Sequence, residues 1–197
     1  MNPLESIKGT LIAGLVLAIA LVFILGSAHQ VNELVIMRWL HIAAGITWIG
    51  LLYYFNFVQV PAMAAAAADK GGPGGAGVSK YVAPRALLWF RWGAVVTWLS
   101  GAAYLIRTGE LLGVFSFGIA GAARPAIMAG AWLGTIMLFN VWVLIWPNQK
   151  KILGIVPADD AAKAKARRVA FLASRTNTML SIPMILFMAA SAHGMPF

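Results

Sequence analysis

The sequence predicts an all-α fold: an integral membrane bundle of about five transmembrane helices, N-terminus inside and C-terminus outside. Composition is the first reason, since 61% of the 197 residues are hydrophobic and only 11% are charged. A soluble domain of this size needs more polar side chains to cover itself. Length is the second reason. Several stretches run about 18 residues or more with almost no charge, enough to cross a hydrocarbon core about 30 Å thick. Charge placement is the third and sets the orientation, because Lys and Arg concentrate on cytoplasmic loops. With the N-terminus inside, Lys8, Lys70, Lys80, Arg85, Arg91, Lys150, Lys151, Lys163, Lys165, Arg167, Arg168 and Arg175 fall on the inner side. Only Arg38, Arg107 and Arg124 fall outside. The expected place is a bacterial inner (cytoplasmic) membrane, crossed several times.

Residues 1–197 read as a single transmembrane domain. The first span covers residues 11–28; with Lys8 before it and "LGSAHQ" at its end it also has the pattern of a signal peptide. Because the numbering keeps Met1, it is read as a retained first helix. The second span covers residues 35–60. The stretch "PAMAAAAADKGGPGGAGVSKYVAPR" (61–85) holds the densest Gly/Pro cluster and reads as a flexible Gly/Pro/Ala-rich cytoplasmic loop. The third span covers residues 86–106. "GELLGVFSFGIAGAARP" is apolar but short and glycine-rich, which suits an interfacial or re-entrant segment. The fourth span covers residues 126–146. "PNQKKILGIVPADDAAKAKARR" is a polar connection whose part after Pro157 is Ala-rich and expected to be helical, and the fifth span covers residues 169–191. Trp39, Trp89, Trp92, Trp146 and Tyr81 lie near span ends, where amphipathic rings prefer to sit.

The charge of +9 meets anionic lipid headgroups beside the spans, so membrane lipid is the expected partner and nucleic acid is not. The absence of cysteine removes disulfides, thiolate metal sites, iron–sulfur clusters and the C-x-x-C-H attachment of haem. A metal or haem would have to be held by His, Met, carboxylate or Tyr. There are 3 histidines, and this topology puts all of them on the outer side: His29 after the first span, His41 about 9 Å into the second, and His193 past the fifth.

On a helix, His41, Gly45, Trp48, Leu52, Phe55 and Gln59 form one stripe. A haem ligand needs an inward imidazole and room beside it for the flat ring. Gly45, one turn away, offers room, Trp48 could wall the pocket, and Arg38 could pair with a propionate. His193 is the natural second axial ligand because it shares the leaflet. The same residues also fit a neutral His41 bonded to a carbonyl on another helix, with Gly45 a packing residue. Copper is the alternative metal, since imidazole with the thioether of Met37 or Met195 suits it.

A second polar group lies toward the other leaflet. Asn56, Gln59, Asn140, Arg175 and Asn177 could hold a planar anionic ligand or a quinone headgroup, or could join helices while Arg175 reaches headgroups. No catalytic triad, paired carboxylate or phosphate loop is visible. The 6 acidic residues fall in loops or at span ends, so neither carboxylate acid–base chemistry within the membrane nor a proton-pumping relay is expected.

"LHIAAGITWIGLLYYFNFVQVPAMAAAAADK", "KYVAPRALLWFRWGAVVTWLSGAAYL", "NVWVLIWPNQKK" and "SRTNTMLSIPMILFMAASAH" resemble the membrane domain of the bacterial membrane-bound urate hydroxylases, the urate oxidase N-terminal domain. The resemblance runs from about residue 35 to the end. More loosely, His41-x6-Trp48-x-Gly50 is similar to the haem-b-binding membrane protoporphyrinogen oxidases, where such a histidine is a haem ligand, and to copper-resistance membrane proteins. The resemblance implies oxidation of urate to 5-hydroxyisourate, with electrons passed to a cytochrome c domain fused after the membrane part. The 197 residues hold no C-x-x-C-H, so the expected electron acceptor is a separate cytochrome c. Two functions stand as expectations. One is a haem-b-binding oxidoreductase related to urate hydroxylase, with His41 and His193 on the iron. The other is a non-catalytic accessory subunit of a larger respiratory, photosynthetic or monooxygenase complex, packed through the small residues of "GAAYL" and "AGAWLG"; a homo-oligomer is a further expected partner.

Overall fold

In the computed structural model, residues 2–26 and 32–195 are described, and every regular element among them is helical. The chain divides into two compact units, Met1–Glu33 and Leu34–Phe197. In the first unit a short 3-10 turn, Pro3–Glu5, leads into α1 (Ile7–Leu25). The Ser6 hydroxyl caps α1 by accepting the Gly9 N–H at 3.0 Å. No residue of α1 is buried by protein. A helix apolar on every face is one that hydrocarbon surrounds.

The second unit holds α2 (Glu33–Ala68, from its second residue), α3 (Ala83–Arg107), the short α4 (Leu111–Phe115), α5 (Pro125–Ile152) and α6 (Asp160–His193). Helices α1, α2, α5 and α6 are long and apolar enough to cross a membrane. α3 has the length, 25 residues, but interleaves Arg85, Arg91 and Arg107 with its apolar positions. Arg91 lies over the Trp146 ring at 3.9 Å, a cation–π contact that gives a charge in an apolar helix a partner. This is an all-helical membrane protein.

Each sequence-derived span lies largely or wholly within one of these helices, but the boundaries differ for physical reasons. The expected loop 61–85 is mostly helical. The alanines at 64–68 carry α2 onward because alanine is the best helix former, and helix resumes at residue 76, leaving only 69–75, with its glycines and Pro73, outside it. The Ala-rich stretch after Pro157 is helical, as expected, and continuous with the last span. Capped by Asp159, whose carboxylate accepts the Ala162 N–H at 2.7 Å, it runs without a glycine or proline into the last span, so α6 has 34 residues.

Wider helical turns stand before prolines three times. Tyr54–Gln59, Val78–Val82 and Asn140–Ile145 are π-helical, with N–H to C=O bonds five residues back from Val60 to Phe55, Ala83 to Val78 and Trp146 to Val141. In every case the next residue is proline: Pro61, Pro84 and Pro147. A proline ring collides with the carbonyl four residues back and leaves it without a donor. Adding one residue to the turn relieves that collision without breaking the rod.

The core is shared by four helices: Trp48, Leu52 and Phe55 of α2, Leu87, Phe90 and Ala94 of α3, Met137, Val141 and Ile145 of α5, Ala173 and Met184 of α6. α5 packs most extensively on α6. Between helices in lipid the driving force is close packing, so small residues set the approach. A Cβ on Gly93 would lie 3.4 Å from the Trp48 backbone nitrogen, and one on Gly130 would lie 3.2 Å from the Met188 side chain.

Polar side chains join the helices below this core. Asn140 Nδ2 donates to Asn177 Oδ1 at 2.8 Å, and Asn177 Nδ2 donates to the Met137 carbonyl at 3.0 Å. Asn56 Nδ2 donates to the Ser174 hydroxyl at 2.8 Å, and the Tyr53 and Ser181 hydroxyls pair at 3.0 Å. Asn177→Leu strands the Asn140 amide and is expected to destabilise the bundle by about 1–2 kcal/mol. Unfolding in mixed micelles checks this: the double variant with Asn140→Leu should recover part of the loss, and an unchanged single variant would show the amide pair to be idle.

Candidate functional site

α2 and α5 begin, and α3 and α6 end, at the same end of the second unit. There they enclose a cavity of about 510 Å³, within the range of small-molecule and cofactor sites. Its lining includes His41, Arg38 and Trp48 of α2 and His193 of α6. These residues, 155 positions apart at the extremes (193 − 38), come to one cavity because antiparallel helices bring the start of one beside the end of another.

His41 is half-buried, and its Nδ1 lies 2.7 Å from the carbonyl oxygen of Thr97 on α3. A carbonyl only accepts, so Nδ1 carries the proton and Nε2 of the neutral ring keeps its lone pair. Metal-ligating histidines have this arrangement: the distal N–H is held by a carbonyl, which fixes ring orientation and strengthens the other nitrogen as a donor. Gly101 of α3, one turn beyond Thr97, faces the ring. A Cβ there would lie 2.9 Å from His41 Cε1 and Nδ1, closer than side chains pack, so the imidazole position depends on this glycine.

Gly45 is placed differently from its expected role. It does not line the cavity, and a Cβ on it would meet Thr97 Cγ2 at an ordinary 3.7 Å. Side chains on a helix lean toward its N-terminus, so this position covers the α3 contact, and the space beside His41 comes from Gly101 on the neighbouring helix. Trp48 is 2% exposed and lines the cavity, and its indole N–H is buried with no hydrogen-bond partner among the described residues. Arg38 is exposed at the other extreme. Its Nη2 donates to the Tyr104 hydroxyl at 2.6 Å, and its guanidinium stands over the Tyr104 ring at 5.2 Å. Tyr104 therefore orients the one face of the fork and leaves the rest for an anionic group.

His193 is the last residue of α6 and is exposed. Nearby, Arg124 makes a two-point contact with Glu110, and the hydrogen bond to that carboxylate raises the guanidinium pKa above its ordinary value. Of the residues considered for copper, His29 lies outside the described residues, while Met37 and Met195 do not line the cavity. No group of three or more His, Cys, Asp or Glu suited to a metal occurs among the described residues.

The polar set of the other leaflet is not assembled around a cavity. Asn56, Asn140 and Asn177 are buried and bonded between helices as described above. Gln59 Oε1 is buried without a partner among the described residues. Arg175 is exposed, with its guanidinium 5.2 Å from the Phe171 ring centroid and apart from the amides.

Thr97, Gly101, Tyr104, Glu110 and Arg124 escape sequence reasoning. Their roles depend on how α3 is registered against α2 and α5, which no spacing within one helix reveals. Opposite charges at Glu110 and Arg124, on either side of a glycine-rich segment, are the signal by which that pair could be found. The His41 geometry is directly testable. Nitrogen NMR of histidine-labelled protein should find the Nδ1–H tautomer for His41, and Gly101→Val should abolish it. An Nε2–H tautomer in the unsubstituted protein would contradict the Thr97 contact.

The sequence profile of the family described as Urate oxidase N-terminal matches residues 27–109 and 112–197. No curated protein and no solved structure matches the chain.

Proposed function

The chain belongs to the urate oxidase N-terminal family, and from that premise we propose that it is a haem-b-binding membrane oxidoreductase acting on urate. The observation that carries this reading is the single cavity onto which His41, His193 and Arg38 converge. The residues present fit the group. An imidazole with a free Nε2, a glycine that leaves space for its ring, a largely apolar enclosure and a guanidinium at the rim are what a flat apolar macrocycle with two carboxylates requires.

His41, through Nε2, and His193 would hold the iron. Haem b, when bound, would supply a one-electron couple, tuned by its ligands and by burial. The Thr97 carbonyl holds the His41 proton on Nδ1, keeping the opposite nitrogen available for the iron. Arg38, steadied by Tyr104, would neutralise a propionate. Trp48 and Met184 wall off the inner end from water, lowering the local dielectric. Over the whole reaction urate and water become 5-hydroxyisourate, two protons and two electrons, the electrons passing on to a cytochrome c. The Trp48 indole N–H, which has no partner among the described residues, and the aromatic lining suit a planar ligand close to the same cavity.

Three measurements test the reading. The purified chain, supplied with haem, should give a pyridine haemochrome spectrum of b type. His41→Ala should remove the bound haem, while Arg38→Ala should weaken its retention about tenfold, as loss of one charged hydrogen bond does. Urate should reduce the bound haem under anaerobic conditions. Haem that binds through His41 but stays oxidised with urate would instead favour an accessory subunit, and an absent Soret band would remove the proposal altogether.

A further inference from the structure

A contact at the cavity rim joins three separate segments. Glu110 stands in the turn between α3 and α4, Arg124 caps the start of α5, and Ser191 lies in the last turn of α6. Arg124 Nε donates to Glu110 Oε2 at 3.1 Å and Nη2 donates to Oε1 at 2.9 Å, while Nη1 donates to the Ser191 carbonyl at 2.8 Å. The last carbonyls of a helix have no donor within it. In α6 the Gly194 N–H serves the Ala190 carbonyl at 2.9 Å, and for Ser191, one residue on, the donor is the arginine. A cation at this place also meets the negative end of the helix dipole. Arg124, Ser191 and His193 all line the cavity.

We propose that Glu110 and Arg124 form a positioning clasp that holds the final turn of α6, and with it His193, at the cavity. Its bearing on the iron rests on the haem reading above. Glu110 fixes the plane of the guanidinium by gripping two of its nitrogens, so the third is aimed at a single carbonyl. Lysine has no rigid fork and can serve one partner but not both in the same geometry. Neutralising Glu110 keeps the arginine but loosens its aim. Arg124 and Glu110 are thus positioning residues: they act on the ligand through the backbone of α6.

The clasp can be tested in the full chain in lipid nanodiscs, first without haem. Hydrogen exchange of the amides at 190–195 should speed up about tenfold in Arg124→Ala, and by less in Arg124→Lys and Glu110→Gln, with the core of α5 unchanged. After haem is added, Arg124→Ala should lose the low-spin spectrum of two imidazole ligands and become high-spin. Free imidazole should restore the low-spin form, and Arg124→Lys should keep part of it. Unchanged exchange at 190–195 in both Arg124→Ala and Glu110→Gln would overturn the clasp, as would a fully low-spin Arg124→Ala protein. Should Arg124→Ala fail to fold, Glu110→Gln carries the test, because it keeps the side chain's size while removing the charge and one of the two oxygens that accept from Arg124. Wild-type protein that takes up no haem defeats the haem reading, and the exchange measurement then decides the clasp by itself.

Discussion

A hydrocarbon phase offers no hydrogen-bond partners, so every polar group this bundle buries has to be answered from within. That constraint accounts for most of what distinguishes its interior. The asparagines answer one another or a serine across helices, the Tyr53 hydroxyl meets Ser181, and the His41 proton meets the Thr97 carbonyl. It also bears on three of the prolines: the wider turns before Pro61, Pro84 and Pro147 shift the displaced carbonyl onto a different donor, whereas Pro183 stands in α6 without such a turn. Among the described residues only Trp48 Nε1, Gln59 Oε1 and Trp142 Nε1 are buried side-chain atoms left unanswered, and Trp48 belongs to the cavity.

The spans were readable because length and apolarity are properties of contiguous residues. The loop at 61–85 was read too long because glycine and proline dominate its middle, whereas its alanine flank behaves as helix. Bringing His41, His193, Arg38 and Trp48 to one end needed only the alternation of up and down helices. Nothing in the sequence could place Gly101 beside the His41 ring, since that depends on how far α3 slides along α2, which the close approach at Gly93 fixes. The same limit applies to Gly45, whose spacing from His41 looked right on one helix while its neighbour turned out to be Thr97. The π turns were equally hidden. What the three share in the sequence is only the proline that follows, Pro61, Pro84 and Pro147, a pattern that carries no helical periodicity.

The two ends of the bundle differ in their chemistry. At one end polar atoms pair with one another and leave little to offer a ligand. At the other, the polar groups of His41 and Arg38 are each held on one side only, by Thr97 and by Tyr104, so each keeps a free face toward the same enclosed space. This half-satisfied state is what separates a binding residue from a packing residue. A side chain fixed on every side adds rigidity, and one fixed on none lacks direction.

α6 is a continuous helix about 51 Å long at 1.5 Å per residue, with Pro183 inside it, against roughly 30 Å of hydrocarbon. A rod of that length cannot be contained by the bilayer, so the basic stretch around Lys163, Lys165, Arg167 and Arg168 stands in the headgroups or beyond them. Its opposite tip carries an imidazole. Pro183, ten residues before that tip, removes one N–H from the helical ladder, so the last turns are joined to the basic segment less stiffly than an all-bonded helix would join them.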